Sequence, residues 1–259
     1  MPIELTAPRN YSEMTEKHLR YVAALMLAGQ TEDQIRTKCF IRFTGIKPIS
    51  NNGDNYHFSR KGMKGSFMLK TTEVAEFSNS FAFITTNFKG FVPFAKIGKY
   101  KAVDRLLRNI SFAQYIDVEN NYQAYIFTKD EKFLTKLIAL LYIRKPYAET
   151  NFLSAEKYMQ KKATKVERLI VTLWMIGIKQ ELALKFKYLF LKKTESDDLD
   201  ELTPPNMLEI VTNQVRMLTD GDITKNKQIL AANTWDALKE LDNKCREYEE
   251  LKTKMKQNV

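Results

Sequence analysis

Apolar residues at helical spacing, bounded by clear start and stop signals, determine most of what this chain can fold into. Thr15 and Thr31 each precede an apolar stripe and can act as N-caps, while Gly29 and Gly45 follow those stripes where helices end. The gap between the stripes is short, so the first 45 residues predict a tight antiparallel helical hairpin. Because similar stripes return through most of the chain, the sequence predicts a mainly α fold, a multi-helix bundle.

The period changes between residues 46 and 69, where turn residues separate short runs typical of strands. The first turn is Asn51-Asn52-Gly53-Asp54, and a second lies between Arg60 and Gly65. Residues 55–58 and 66–69 are the strand candidates. These runs predict a small antiparallel β meander inserted near residues 46–69. It has to pack on the helices, because two or three isolated strands are marginal in water.

Later start and stop signals predict further helices and a division into domains. The expected helices are Tyr100–Asn109, Ser111–Phe127, one from Thr128 and Glu131 to before Pro146, a basic one opened by Ser154, a partly buried one ending near Lys193, one after Pro204-Pro205, and a long C-terminal helix from Thr224. The acidic stretch at 196–205 is the best linker candidate. We therefore expect a helical core with a β insertion over 1–195, a linker at 196–205 and a C-terminal helical arm over 206–259.

The chain contains only two histidines and two cysteines. This scarcity argues against most catalytic sites that depend on these residue types. His18, His57, Cys39 and Cys245 share no spacing typical of a metal site or an activated nucleophile, and we interpret both histidines as structural. The sequence also has no G-x-x-x-x-G-K-[ST], G-x-G-x-x-G or H-E-x-x-H motif. We therefore predict a non-enzymatic protein with no cofactor and no metal, and an enzyme is the third-ranked interpretation.

The cysteines, the N-terminus and the longest apolar run together indicate the cellular compartment of the protein. Two cysteines give no disulfide framework, so free thiols in a reducing compartment are expected. The N-terminus lacks the order of a signal peptide. The apolar run Leu169–Ile178 has about half of the ~20 residues that cross a bilayer, which predicts a buried helix. We expect a cytoplasmic protein that does not contact a membrane.

The net charge of +10 is concentrated in two segments. Residues 47–108 hold 11 Lys and Arg against 4 Asp and Glu, and residues 157–193 hold 10 against 2. Six acidic residues and no basic ones follow in 195–209, which suggests self-complementarity within one chain or between copies. Solvated lysine faces are the alternative. The candidate contacts to nucleic-acid phosphate or to an acidic partner are Arg60, Lys61, Lys64, Lys99, Lys101, Arg105, Lys161 and Lys162.

Within the first basic segment, Gly62-Met63-Lys64-Gly65 resembles the GxxG loop with which KH domains contact a nucleic-acid backbone. That loop joins two helices in the family, whereas here it is predicted to join two strands. We therefore interpret it either as a basic hairpin tip or as a β-turn with solvated lysines.

Two groups of apolar residues are candidates for docking another protein. The first is the aromatic segment with Phe88, Phe91 and Phe94, which alternatively fills the core beneath a loop. The second is a narrow seam on the C-terminal helix with Leu238, Leu241 and Tyr248, typical of a docking or coiled-coil arm. Its alternative is packing on the core of its own chain.

Two stretches carry a resemblance to a known group of proteins. They are Met14 to Ala23, continuing to Gly45, and Met207 to Asp242 with the turn Asp220-Gly221-Asp222 and Trp235. Together they resemble uncharacterised helical proteins encoded by phages and prophages of gut bacteria. The resemblance implies a virion structural or assembly context and supplies no functional residues.

On these grounds we expect a non-enzymatic phage structural or assembly protein, a neck, tail or packaged virion component. Its partners would be other phage structural proteins and further copies of itself, in a homo-oligomer or ring. It would be found in the host cytoplasm during assembly and then in the virion. The alternative is a sequence-nonspecific nucleic-acid-binding protein, with DNA as partner, that uses the basic segments 47–108 and 157–193.

Overall fold

A computed structural model describes residues 5–62, 64–144, 146–190 and 207–257 of the chain. These residues are mostly helical, with one small antiparallel sheet and a long C-terminal helix, which confirms the predicted fold class. They form two compact units. Unit 1 comprises residues 5–93 and 165–177, and unit 2 comprises residues 94–164 and 178–257.

Unit 1 begins with the predicted helical hairpin. Its elements are α1 (Glu16–Leu27), α2 (Glu32–Thr44), β1 (Ile46–Asn52), β2 (Asn55–Arg60), β3 (Phe67–Lys70), α3 (Thr71–Asn79), α4 (Phe83–Thr86) and the first part of α8 (Lys165–Lys185). The Thr15 hydroxyl accepts from the His18 amide at 3.3 Å, and the His18 ring nitrogen Nδ1 accepts from the Thr15 amide at 3.2 Å. Both predicted caps, Thr15 and Thr31, are confirmed. His18 is therefore part of a helix cap.

The three strands form the predicted meander in the order β1-β2-β3, with antiparallel pairing throughout. The register pairs Ile46 with Arg60, and Asn55 with Lys70. Phe58 is buried on one face and stacks against Phe67, with ring centroids 5.9 Å apart. The sheet is thereby fixed to the unit 1 core on one side only.

Tyr11 organises the aromatic core of unit 1. Its ring is fully buried, with its centroid 5.7 Å from that of Phe88 and 4.7 Å from that of Phe91, and its hydroxyl donates to the Ile84 carbonyl at 2.7 Å. Gly177 of α8 is required here, because a Cβ would lie 2.4 Å from the Phe88 carbonyl oxygen.

The aromatic residues predicted to dock a partner are covered. Phe88, Phe91 and Phe94 are 9%, 2% and 1% exposed. Phe94 belongs to unit 2, where its carbonyl accepts from the Tyr142 hydroxyl at 2.9 Å. The docking prediction for these three residues is corrected: they fill cores, because the Gly and Pro between them bend the chain so that each ring enters the interior.

Unit 2 contains most of the long helices. Its elements are β4 (Lys96–Ile97), β5 (Tyr100–Lys101), α5 (Phe112–Thr128), α6 (Glu131–Leu141), α7 (Glu149–Lys162), the last part of α8, α9 (Met207–Thr219), α10 (Asn226–Ala231) and α11 (Thr234–Gln257). Helix α5 packs on α6, and α6 packs on α7. The buried amide Nε2 of Gln114 donates to the Leu140 carbonyl at 2.8 Å and ties α5 to α6.

The prediction of a helix over residues 100–109 is wrong. The segment forms a short hairpin followed by turns. The Asp104 carboxylate accepts from the Leu106 amide at 3.0 Å and from the Arg108 amide at 3.1 Å, and Leu107 has φ of 62°. An aspartate that binds nearby amides in this way favours a turn over a helix.

The C-terminal helix begins ten residues later than expected from a Thr224 start, at Thr234. A 3-10 turn, Ile223–Lys225, and α10 precede it. The break is held by the Asn233 side-chain amide, which donates to the Arg108 carbonyl at 2.7 Å, and by the Thr234 hydroxyl, which donates to the Ile110 carbonyl at 3.0 Å. The helical pattern is therefore interrupted where distant backbone carbonyls accept hydrogen bonds from the side chains of Asn233 and Thr234.

Other boundaries also differ from the predictions. Helix α7 begins at Glu149 instead of near Ser154, and α8 ends at Lys185 instead of near Lys193. The predicted linker at 196–205 lies outside the described residues, so the boundary between a 1–195 core and a 206–259 arm stays a prediction. Within the part of the chain that the structure describes, no helix has both the length and the apolar character needed to cross a membrane.

Candidate functional site

The hairpin of β4 and β5 presents two lysines side by side. Ile97 and Tyr100 are paired and buried, so the alternation of side chains turns the other pair, Lys96 and Lys101, to the exposed face. Like charges directly opposite each other destabilise a strand pair. The hairpin therefore holds two positive charges together at a cost in stability.

Two tyrosines fix this hairpin to α7. The rings of Tyr100 and Tyr158 have centroids 5.2 Å apart, and the Tyr100 hydroxyl lies 3.2 Å from the Ser154 hydroxyl. Gly98 at the turn has φ of +56°, and a Cβ there would lie 1.9 Å from the Tyr158 hydroxyl. Only glycine suits both the backbone conformation and the close approach to α7.

Two cations lie over these rings. The Lys99 Nζ is 5.5 Å from the centroid of Tyr100 and 5.6 Å from that of Tyr158, and the Arg144 Cζ is 5.8 Å from the centroid of Tyr100. The electron-rich ring faces stabilise the positive charges without neutralising them. Lys99 and Arg144 thus remain available to an anion.

Helix α7 adds further lysines next to Tyr158. At about 100° per residue, Lys161 and Lys162 lie within about 60° of Tyr158 around the helix axis, and Lys157 lies about 40° from Lys161. The two carboxylates of this helix, Glu149 and Glu156, lie on its opposite side, about 160–180° away. The side of α7 that meets the hairpin is therefore positive.

We call this surface the basic face. It consists of Lys96, Lys99, Lys101, Arg144, Lys157, Lys161 and Lys162 with Tyr100 and Tyr158. All seven cations are exposed, and none has a carboxylate within ion-pair distance among the residues that the structure describes. The face is an uncompensated cluster of positive charge within unit 2.

The structure brings together only some of the predicted contact residues. Lys99, Lys101, Lys161 and Lys162 share the basic face. Arg105 is partly neutralised, because its Nη1 lies 3.3 Å from Glu181 Oε1. The other three predicted contacts are in unit 1: Arg60 ends β2 half-buried, and Lys61 and Lys64 are exposed in the turn before β3.

The contact residues predicted from the sequence do not include five members of the basic face: Lys96, Tyr100, Arg144, Lys157 and Tyr158. Lys96 and Lys157 lie within the basic segments that the charge distribution singled out. The others carry no local signal, because Tyr158 meets the hairpin only through the fold and Arg144 reaches Tyr100 from the loop after α6.

Other charged groups of unit 2 form ion pairs and hydrogen bonds within that unit. Lys179 Nζ contacts the Glu119 carboxylate, which also accepts from the Gln123 side chain at 2.7 Å. The Tyr147 hydroxyl donates to the Asp117 carboxylate, and burial together with this hydrogen bond raises the pKa of Tyr147. These groups have partners in the same unit, which distinguishes them from the basic face.

The C-terminal helix α11 has two different halves. In the first, Leu238 and Leu241 are 0% exposed, and the Trp235 indole nitrogen donates to the Leu106 carbonyl at 2.7 Å. The prediction that these two leucines dock a partner is corrected, because both are buried within their own chain, where α11 packs on α9 and α5.

The second half of α11 has an uncovered apolar surface. Tyr248, Leu251 and Met255 are 66%, 56% and 70% exposed and lie on one side of the helix at spacings of three and four. We call these three residues the exposed helix end. Tyr248, a predicted docking residue, is thus accessible, whereas the leucines of the same seam are not.

A groove of about 500 Å³ lies between α9 and the segment that follows it. Val211, Val215, Ile223 and Leu230 give it a mainly apolar lining, and Arg216 is its charged residue.

Among the described residues, no group of three or more His, Cys, Asp or Glu side chains could hold a metal ion. The thiol of Cys39 is buried, and burial raises its pKa to about 12. No protein-family model, curated protein or solved structure matches the chain.

Proposed function

We propose that this chain is a non-enzymatic structural or assembly protein of a bacteriophage, which associates with further copies of itself through the exposed helix end. The observation that carries the proposal is the uncovered apolar surface of Tyr248, Leu251 and Met255 at the end of a helix whose first half buries Leu238 and Leu241. Three large apolar side chains on one side of a helix are typical of a helix that meets a partner. The phage context is supported by the resemblance in the sequence.

The charges around this surface favour a second copy as the partner. Glu247, Glu249 and Glu250 precede Leu251, whereas Lys252 and Lys254 follow it. If two helices cross antiparallel at Leu251, Glu250 of one copy lies beside Lys252 of the other, and Tyr248 lies beside Met255. A parallel pair would instead place like charges together, which is unfavourable. Self-association is therefore antiparallel in this proposal.

The strength of the contact follows from its size. A standard interface buries about 800 Å² on each partner, more than three side chains expose. A single pair of copies is therefore expected to associate weakly, in a concentration-dependent manner. An antiparallel contact that uses the same surface on both copies closes as a dimer, so a ring of copies would need a second, different contact on the chain.

The test compares association of the full chain with that of charge variants in sedimentation velocity over a wide concentration range. Glu250→Lys and Lys252→Glu should each weaken association, and the double variant should restore it, because the swapped charges again face opposite charges. Lys239→Glu combined with Glu240→Lys, on the exposed side of the first half, is the matched control and should leave association unchanged.

A chain that stays monomeric at all concentrations would overturn the self-association proposal, and failure of the double variant to restore association would overturn the antiparallel arrangement. The phage context is tested separately by mass spectrometry of purified virions and of infected host cytoplasm. We expect the protein in the cytoplasm during assembly and then in the particles. Its absence from particles and from assembly intermediates would exclude a virion role.

A further inference from the structure

The basic face is independent of the exposed helix end and requires its own explanation. Seven cations from one hairpin, one loop and one helix converge there, without a carboxylate partner among the described residues. Opposed Lys96 and Lys101 reduce the stability of the hairpin, and Lys157 and Lys161, four residues apart on α7, repel each other as well. Charges that cost folding stability are best explained by an anionic ligand that compensates them.

We propose that the basic face binds the phosphate backbone of nucleic acid, without reading base sequence. Six of its seven cations are lysines, which act as point charges and suit a row of phosphates. The planar fork of arginine suits carboxylate and phosphate alike, so the single arginine of the face, Arg144, does not by itself distinguish the two ligands.

The surroundings of the cations also favour phosphate over a protein surface. Protein interfaces have an apolar centre surrounded by polar groups. The exposed apolar residue of α7, Leu153, lies about 140° from Tyr158 around the helix axis, at the edge of the face beside Lys157 and not at its centre. Ser154 of α7, whose hydroxyl lies beside that of Tyr100, is polar.

The tyrosines position cations and do not form a platform for bases. Tyr100 is buried, and its ring is covered by Lys99 and Arg144. Single-strand binding proteins require accessible rings on which bases stack. The face is therefore expected to bind duplex DNA at least as well as a single strand of the same length, through charge alone.

The experiment measures binding of the full chain to a labelled 30-base-pair duplex over a range of NaCl concentrations. Lys99→Glu with Lys101→Glu should lower affinity by at least about ten-fold and reduce the slope of log Kobs against log salt by about two. Lys61→Glu with Lys64→Glu is the control of equal charge change in unit 1, and it should retain most of the affinity and the slope. Lys161→Gln with Lys162→Gln tests the α7 side by milder changes at exposed positions.

Three outcomes overturn the proposal. The first is an unaltered salt slope in both basic-face variants, with melting temperatures that show them folded. The second is an equal loss in the unit 1 control, because the effect would then depend on net charge and not on this face. The third is binding of a peptide of residues 195–209 to the face while DNA binding stays at background, which would assign the face to an acidic protein segment.

Discussion

The two halves of α11 have similar sequences and different surroundings. Both continue one apolar seam on a charged helix, and each contains leucine: Leu238 and Leu241 in the first half and Leu251 in the second. The first two are 0% exposed, whereas Leu251 is 56% exposed. The spacing of apolar residues shows which side of a helix is apolar, but not whether that side is covered by the same chain or by a partner.

The difference arises from polar anchors as much as from apolar contact. Near its start the helix has three: the Thr234 hydroxyl and the Trp235 indole donate to the carbonyls of Ile110 and Leu106, and Asp242 accepts from the Leu189 amide at 2.9 Å. After Asp242, the helix is held instead by ion pairs, such as that between Lys244 and Asp220. The second half of the helix exposes Tyr248, Leu251 and Met255.

The largest effect is expected from placing a charge in the buried half. Leu241→Asp should lower the free energy of unfolding by at least ~3 kcal/mol, because truncation of a buried leucine alone costs about 2–5 kcal/mol and the carboxylate is buried without a partner. Leu251→Asp is the matched control and should change stability by no more than about 0.5 kcal/mol. Urea denaturation of the full chain measures both.

Leu241→Ala provides a milder change if Leu241→Asp does not fold. Equal losses of stability in the variants at 241 and 251 would contradict the division of α11 into a covered and an uncovered half.

A smaller effect is expected from removing one polar anchor. Trp235→Phe deletes the donor to the Leu106 carbonyl and should destabilise the fold by about 1–3 kcal/mol, the cost of leaving a buried acceptor unpaired. Tyr248→Phe removes a hydroxyl from the uncovered half and serves as control, with no measurable change. The urea midpoint reports the difference, and an unchanged midpoint in the Trp235→Phe variant would show that the hydrogen bond from Trp235 to Leu106 does not stabilise the first half.

The smallest effect concerns thiol reactivity and leaves stability unchanged. Burial raises the pKa of Cys39 to about 12, so at pH 8 only about one thiol in 10⁴ is ionised. Cys245, where the two halves of α11 meet, is partly exposed, and burial with nearby Asp242 and Glu249 raises its pKa as well. Iodoacetamide should therefore modify Cys245 first, at a rate that rises with pH.

Mass spectrometry of the alkylated chain identifies the modified thiol. Because Cys245 lies three residues before Tyr248 on the same side of the helix, its modification should slow at concentrations where copies associate. A rate independent of protein concentration would argue that the exposed helix end stays uncovered.

The sequence predicted the elements with strong local signals. Thr15, Thr31 and Ser111 cap helices as expected, and the turn residues between 46 and 69 specify the meander. The prediction of a helix at residues 100–109 was wrong, because the Asp104 carboxylate stabilises turns there. Capping bonds span only a few residues, so they can be predicted from the chain, whereas competition between turn and helix depends on neighbours.

The candidate site was predicted less completely. Charge counts indicated the segments that contain Lys99, Lys101, Lys161 and Lys162, but not which lysines would share a surface. Arg105 carries the same charge and pairs with Glu181, a residue 76 positions away. Whether a cation is neutralised depends on such distant contacts, which no local pattern records.

The sequence by itself determined the mainly helical fold, the inserted sheet and the placement of positive charge, because caps, turns and periodicity act over a few residues. Only the tertiary structure decided which apolar residues are covered and which cations are paired. Phe88, Phe91 and Leu241 are buried and Tyr248 is exposed, although all four were docking candidates by pattern. Burial is a property of the neighbours that the whole fold brings to a side chain, and those neighbours lie far away in sequence.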